Sequence, residues 1–166
     1  MSQNISSFIT GFAGGLRPNR FSITIGGVSV PFHIRAASMP AASTNSINIP
    51  YRGRVFKMPG WRSYATWNIT VLDDNKIVIG GATPWTYFHN WANSIFNHAT
   101  NIGAGGNFTV QMKPILVNQL DINGNVIRTL TLQNAWPSDV GEVRLSMDDN
   151  ESYNTFNVAI EYSGYV

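Results

Sequence analysis

Residues 21–30 read FSITIGGVSV. Phe21, Ile23 and Ile25 alternate with Ser22 and Thr24, the period of two that gathers apolar side chains on one face of a strand. Gly26-Gly27 follows, a pair free to take the positive φ angles of a tight hairpin turn. Val28, Val30, Phe32 and Ile34 then resume the alternation with Ser29, Pro31 and His33. The stretch predicts two antiparallel strands. Pro31 has no amide hydrogen for a ladder, which confines the second strand to a sheet edge or a bulge.

The same pattern recurs along the chain. Trp67, Ile69 and Val71 share a face opposite Asn68 and Thr70, and Phe108, Val110 and Met112 alternate until Lys113-Pro114. Residues 115–120 and 126–132 flank Asp121-Ile-Asn-Gly-Asn125, an Asn-Gly turn. Val143, Leu145 and Met147 predict another strand, and Phe156, Val158, Ile160 and Tyr162 the last, with Asn157 and Glu161 facing away. One segment breaks the period. Between Thr83 and Ala99 apolar residues fall at Trp85, Phe88, Ala92, Ile95 and Phe96, a helical spacing, with Thr83 as cap and Pro84 in the first turn. A shorter helix is predicted from about Ser2 to Phe12, stopped by Gly14-Gly15. The expected fold is all-β dominated, an antiparallel sandwich or barrel with one flanking helix. No repeat or linker divides residues 1–166.

Composition narrows the function. Apolar types make up 43% of the 166 residues and charged types only 12%, about half the share usual in soluble domains. That combination excludes a disordered chain, and no apolar run approaches the roughly 20 residues of a membrane helix. Residues 1–15 lack the basic start and apolar core of a signal peptide. Eleven Lys and Arg against nine Asp and Glu give +2, and the densest basic cluster (Arg52, Arg54, Lys57, Arg62) is a weak footprint for a nucleic-acid binder. So neutral a chain suits a surface largely covered by partners, because charge is depleted at interface centres.

No constellation carries catalysis. The absence of cysteine removes thiol chemistry, disulfides and Cys-ligated zinc. His89 and His98 are nine residues apart, on opposite sides of a helix, and His33 sits alone on a strand. The turn at 121–125 lacks the Glu of a calcium loop, having Leu132 at the twelfth position. Asp73-Asp74 and Asp148-Asp149 read as turn acids, and the glycine clusters at 11–15 and 103–106 as helix stops without a phosphate-binding lysine. No metal and no cofactor is expected. A carbohydrate-binding sandwich, with Trp61 or Trp136 in turns as platforms, is a distant alternative.

Three stretches occur in order: Arg17-Pro-Asn-Arg-Phe21; then Ala37-Ser-Met-Pro40, Ile49-Pro-Tyr-Arg-Gly-Arg54, Lys57-Met-Pro-Gly-Trp-Arg62 and Trp67-Asn-Ile-Thr-Val71 leading to the helix; then Ala135-Trp-Pro-Ser-Asp-Val-Gly-Glu142, residues 145–151 and Thr155-Phe-Asn-Val158. In that order they resemble the tail tube proteins of T-even-like contractile phages. The resemblance runs from about residue 16 to the C-terminus. It departs at the apolar, Gly-rich Lys76–Gly81 and at the ending Tyr162-Ser-Gly-Tyr-Val166.

The resemblance implies a non-enzymatic virion subunit, assembled in the bacterial host cytoplasm into hexameric rings stacked as a hollow tube. Its implied partners are further copies of itself, the tail sheath protein, the baseplate hub, and the tape measure and tail terminator proteins. DNA passes through the lumen without specific binding. Phage-derived contractile injection particles and pyocins use related tubes, and the +2 charge favours neither machine. Within this frame residues 38–60 are expected to protrude and touch the next ring, and the inter-subunit contact candidates are Tyr51, Arg52, Arg54, Lys57, Met58 and Trp61, together with Arg17 ahead of the first strand. A merely solvated hairpin accounts for the same residues. Residues 1–15, with Phe8, Ile9 and Phe12, are expected to order on assembly. A conduit must not hold phosphates, so the lumen is expected to carry neutral polar faces with some acids. Its candidates are the faces carrying Asn68 and Thr70, Thr129 and Thr131, or Asn157 and Glu161. At two charges per chain, a ring of six carries +12, which cannot all face DNA.

Overall fold

A computed structural model describes residues 4–11, 17–30, 34–75, 79–97, 102–103, 111–148 and 152–166. In chain order the elements are α1 (Ile5–Gly11), β1 (Phe21–Ile25), β2 (Val28–Ser29), β3 (Ile34–Ala37), β4 (Ala42–Tyr51), β5 (Arg54–Tyr64), β6 (Trp67–Leu72), α2 (Pro84–Ile95), β7 (Phe96–Asn97), β8 (Ile102–Gly103), β9 (Lys113–Leu120), β10 (Val126–Val140), β11 (Thr155–Glu161) and β12 (Gly164–Tyr165).

Gly26 and Gly27 adopt φ of 56° and 85° and turn β1 back into β2, which forms a sheet edge. The other edge of β1 pairs with β9 from Phe21 opposite Gln119 to Ile25 opposite Ile115. Beyond β9 lies β10, the strand that organises the molecule. Its first half pairs with β9 and its second half with β11, which pairs in turn with β6, and β6 with β3. The change of partner falls at a bulge between Leu132 and Ala135, where Asn134 takes a positive φ of 53° and β12 pairs with Leu132 and Gln133. One long strand thereby belongs to two antiparallel layers.

The inner faces of both layers supply the core. Ile23, Ile25, Ile115, Val117 and Leu132 come from the β1–β9–β10 layer; Trp67, Ile69, Val71, Phe156, Val158 and Ile160 come from the β10–β11–β6–β3 layer. All are at most 3% exposed, so each large side chain contributes about 1.5–3 kcal/mol through burial. Trp67 Nε1 donates to the Ser38 carbonyl at 2.6 Å, which satisfies its one polar atom. Helix α2 closes the core with Pro84, Phe88 and Trp91; Phe88 meets Phe156 edge-on at 6.2 Å, and Trp91 Nε1 donates to the Gln111 carbonyl. Thr83 stands at the cap, but its hydroxyl donates to Thr86 Oγ1 and accepts no hydrogen bond from a helical amide. Lys113 Nζ lies 5.0 Å from both the Tyr87 and Trp91 rings, and burial pushes its ammonium below the ordinary lysine range.

Five sequence expectations need correction. Residues 141–148 form no strand, because the Gly141 amide bonds the Asn157 carbonyl at 2.7 Å and the chain then leaves the ladder, exposing Leu145 (83%) and Met147 (100%). Helix α2 ends at Ile95, since Phe96 turns extended and pairs with Gly103. Residues 28–34 are not one strand: β2 and β3 lie at opposite ends of the strand order. Trp61 and Trp136 sit within strands β5 and β10 rather than in turns. Met112 precedes β9, which runs through Pro114. Pro31, His33, His98, Phe108, Val110 and the glycine stops at 14–15 and 104–106 lie outside the described residues. Among the described residues, no helix is long and apolar enough to cross a membrane.

Candidate assembly surfaces

The hairpin β4–β5 stands apart from this core. Tyr51-Arg-Gly-Arg54 makes its turn, with Arg52 at φ 45° and Gly53 at φ 78°, the doubly positive geometry that matches the twist of a two-residue hairpin. Pairing runs from Tyr51 opposite Arg54 down to Ala42 opposite Tyr64. A bulge lies between Thr44 and Ser46, and glycine is required across from it: a Cβ on Gly60 would come within 3.0 Å of the Asn45 carbonyl oxygen. Except for Ala42, Gly60 and Tyr64, every residue of both strands is exposed.

Register divides the hairpin into unlike faces. Ile47 opposes Met58, Ile49 opposes Phe56 and Tyr51 opposes Arg54, so one face is a ladder of large apolar side chains. Asn48 opposite Lys57 and Ser46 opposite Pro59 lie on the other. Ile47, Phe56 and Met58 are 51%, 62% and 42% exposed, and Trp61 is 84% exposed. Residues 42–64 carry Arg52, Arg54, Lys57 and Arg62 and not one acid. Arg52 lies 5.5 Å over the Tyr51 ring. The base is fixed to the body: Tyr64 meets Tyr162 and Tyr165 at 5.6 Å, Arg62 lies over Tyr165, and the Tyr162 hydroxyl donates to the Ala41 carbonyl. Burial first, then Tyr165, Tyr64 and Glu161, pushes the Tyr162 hydroxyl above the ordinary tyrosine range.

Tyr51, Arg52, Arg54, Lys57, Met58 and Trp61 are therefore gathered on one projection. The apolar ladder of Ile47, Ile49 and Phe56 was missed in the sequence, although the alternation Ile47, Ile49, Tyr51 carried the signal. Arg17 is exposed ahead of β1, outside the hairpin. Helix α1 is a separate surface, with Ile5 at 73% and Ile9 at 67% exposure. The Phe8 side chain and Phe12 lie outside the described residues.

The lumen candidates divide between the two layers. Thr129 and Thr131 lie on the outer face of the β1–β9–β10 layer, where Thr129 Oγ1 donates to Asn118 Oδ1 and Asn118 Nδ2 to Ser22 Oγ. Asn68, Thr70, Asn157 and Glu161 lie on the outer face of the other layer; Thr70 donates to Asn157 at 2.9 Å, and Thr66 donates to Glu161 at 2.6 Å. These faces lie on opposite sides of the common core. Among the described residues, no group of three or more His, Cys, Asp or Glu is placed to hold a metal ion.

Comparison with known proteins gives this exposed architecture a context. The phage tail tube protein family matches residues 16–166. The tail tube protein of Serratia phage KSP90 is 30% identical over 123 residues, covering 74% of this chain and 66% of that protein. The tail tube protein of Enterobacteria phage T4 is 25% identical over 147 residues, 87% of this chain and 86% of its own. In fold, the chain is similar to a subunit of the sheath–tube complex of an extracellular contractile injection system (TM-score 0.66, 21% identity, 99% of this chain and 97% of that one). A chain of the anti-feeding prophage baseplate gives the same TM-score at 12% identity, covering 93% and 96%. A match over nine-tenths of the sequence, borne on a two-layer β fold with an uncovered hairpin, establishes that the chain belongs to the phage tail tube protein family and is a structural subunit of a tail tube.

Proposed function

We propose that the chain assembles as rings of six, stacked into the hollow inner conduit of a contractile tail, and that its hairpin joins each ring to the next. The observation that carries this is the hairpin itself: a projection some ten residues long, apolar on one face, with four cations and no acid, and exposed among the described residues except at Ala42, Gly60 and Tyr64. An uncovered two-stranded hairpin is marginal alone, and exposed strand edges invite pairing. A tube satisfies both, because head-to-tail contacts close into a ring and a second such contact stacks the rings. Helix α1, with Ile5 and Ile9 exposed, supplies a further contact that forms on assembly.

The lumen is assigned to the outer face of the β6–β11 layer. Asn68, Thr70 and Asn157 are neutral, and the strand residues Asp139 and Glu161 add acid. Such a wall does not bind DNA phosphates, whereas every Lys or Arg contact would. Thr129 and Thr131 then face outwards. The role is structural rather than catalytic. A sheath outside, a baseplate below and a terminator above are the fitting partners, because the similar folds occur in sheath–tube, baseplate and tube-cap assemblies. A tape measure protein sets length, assembly takes place in the host cytoplasm, and DNA ejection is the work of the finished virion. A pyocin-like injection particle is the second reading, favoured by those same structural neighbours.

Arg54→Glu with Lys57→Glu tests the proposal. The double variant is expected to remain a folded monomer and to form no tubes by negative-stain microscopy, even with baseplate extract as a seed. Tubes of ordinary length from that variant would refute the role of the hairpin.

A further inference from the structure

The hairpin enters the body at one end of β6, and a surface of opposite character lies at the other end. Strand β6 starts at Trp67, two residues past the hairpin, and ends at Leu72 opposite Thr155. Five residue steps, about 17 Å, separate the two ends. Around the far end, Leu145, Met147 and Tyr153 are 83%, 100% and 81% exposed. Together with Asp73, Ser146 and Asn154 they line a hollow of about 500 Å³.

Charge distinguishes this end from the hairpin. Glu142 and Asp148 are exposed, and neither has an ion-pair partner among the described residues. Asp73 Oδ1 is shielded from solvent and accepts no hydrogen bond among the described residues. Arg35 and Arg144 border the adjoining hollow, so the acidic ground is limited on that side. The hairpin has the reverse make-up: four cations, no acid, and an apolar ladder of matching kind.

We infer that the surface formed by residues 142–148 and 152–154 receives the hairpin of a second copy of this chain. The apolar ladder lies against Leu145, Met147 and Tyr153; Arg54 on that face, and Lys57 reaching round from the other, approach Glu142 and Asp148. This rests on the hairpin reading above and names its receiving surface. The two surfaces are unlike and sit at opposite ends of one sheet. Each docked copy therefore presents a fresh hairpin at one end and a fresh receiving surface at the other, and the contact propagates along an axis instead of closing as a two-fold pair.

The cysteine-free sequence makes the test direct. Tubes seeded from chains carrying Met58→Cys and Met147→Cys should, on mild oxidation, give a ladder of covalent oligomers on a non-reducing gel. Tubes carrying Met58→Cys and Thr129→Cys should stay monomeric on that gel. Separately, Glu142→Lys with Asp148→Lys should lower the pelletable tube fraction by more than about ten-fold. Adding Arg54→Glu and Lys57→Glu to it should restore tubes. Tubes that form but give no Met58–Met147 ladder, with the lysine pair assembling normally, overturn the receiving surface alone. If Arg54→Glu with Lys57→Glu also leaves assembly intact, the hairpin reading falls first and takes this inference with it.

Discussion

Two tryptophans six residues apart show how differently the chain uses one motif. Trp61 lies in β5 and is 84% exposed; Trp67 opens β6 and is 2% exposed, its indole nitrogen bonded to Ser38. Both belong to strands with alternating apolar faces, and only Ala65 and Thr66 come between those strands. The apolar face of β6 lies in the common core of the two layers, whereas, among the described residues, every residue of β5 except Gly60 and Tyr64 is exposed. An apolar stripe says that a partner exists. It does not say whose.

The largest effect expected from this contrast is on stability. Trp67→Ala removes a fully packed ring and a hydrogen bond, and should cost about 3–5 kcal/mol in urea denaturation of the monomer. Trp61→Ala should stay within about 0.5 kcal/mol in the same measurement. Equal losses would erase the distinction between the two regions. A smaller effect probes where the body ends and the receiving surface begins. A Cβ on Gly141 would meet the Asn157 carbonyl oxygen at 2.7 Å and its amide nitrogen at 3.3 Å, both rigid backbone atoms. Gly141→Ala should therefore cost about 1–3 kcal/mol by the same assay, and a neutral result would show that 141–148 is free to shift.

The alternation of 21–25, 67–71 and 156–160 made the core strands legible, because both halves of their environment are encoded in one chain. Residues 143–147 alternate just as well and form no strand. Val143 packs against the core while Leu145 and Met147 are exposed, so the period of two did not report a ladder here. The helix stripe was read through Trp85, Phe88, Ala92 and Ile95, and in the structure Trp91 joins Phe88 in the core. An indole can bury its ring only where a carbonyl such as that of Gln111 awaits it, and no local pattern reveals that carbonyl. The cations of the hairpin were visible as types. Their lack of an acidic partner among the described residues, and the placing of lumen candidates on two opposed faces, follow from long-range pairing.

The smallest expected effect concerns alkaline pH at the hairpin base. Tyr162 and Tyr87 are both raised above the ordinary value of 10.0. Above pH 10 the unfolded chain therefore releases protons that the folded chain keeps, and stability declines. Lys113, lowered from 10.5, acts in the opposite sense just below its ordinary value. Tyr162→Phe should make the loss of Tm above pH 10 shallower, and an unchanged slope would show that this hydroxyl takes no part.

Amide hydrogen exchange of residues 42–64, in the monomer and in assembled tubes, tests the central claim most directly. A hairpin covered only by another copy should exchange quickly in the monomer and gain protection on the order of a hundred-fold in the tube, while β6 and β11 remain protected in both. Equal exchange in the two states would mean that assembly leaves the hairpin uncovered, and would contradict the account.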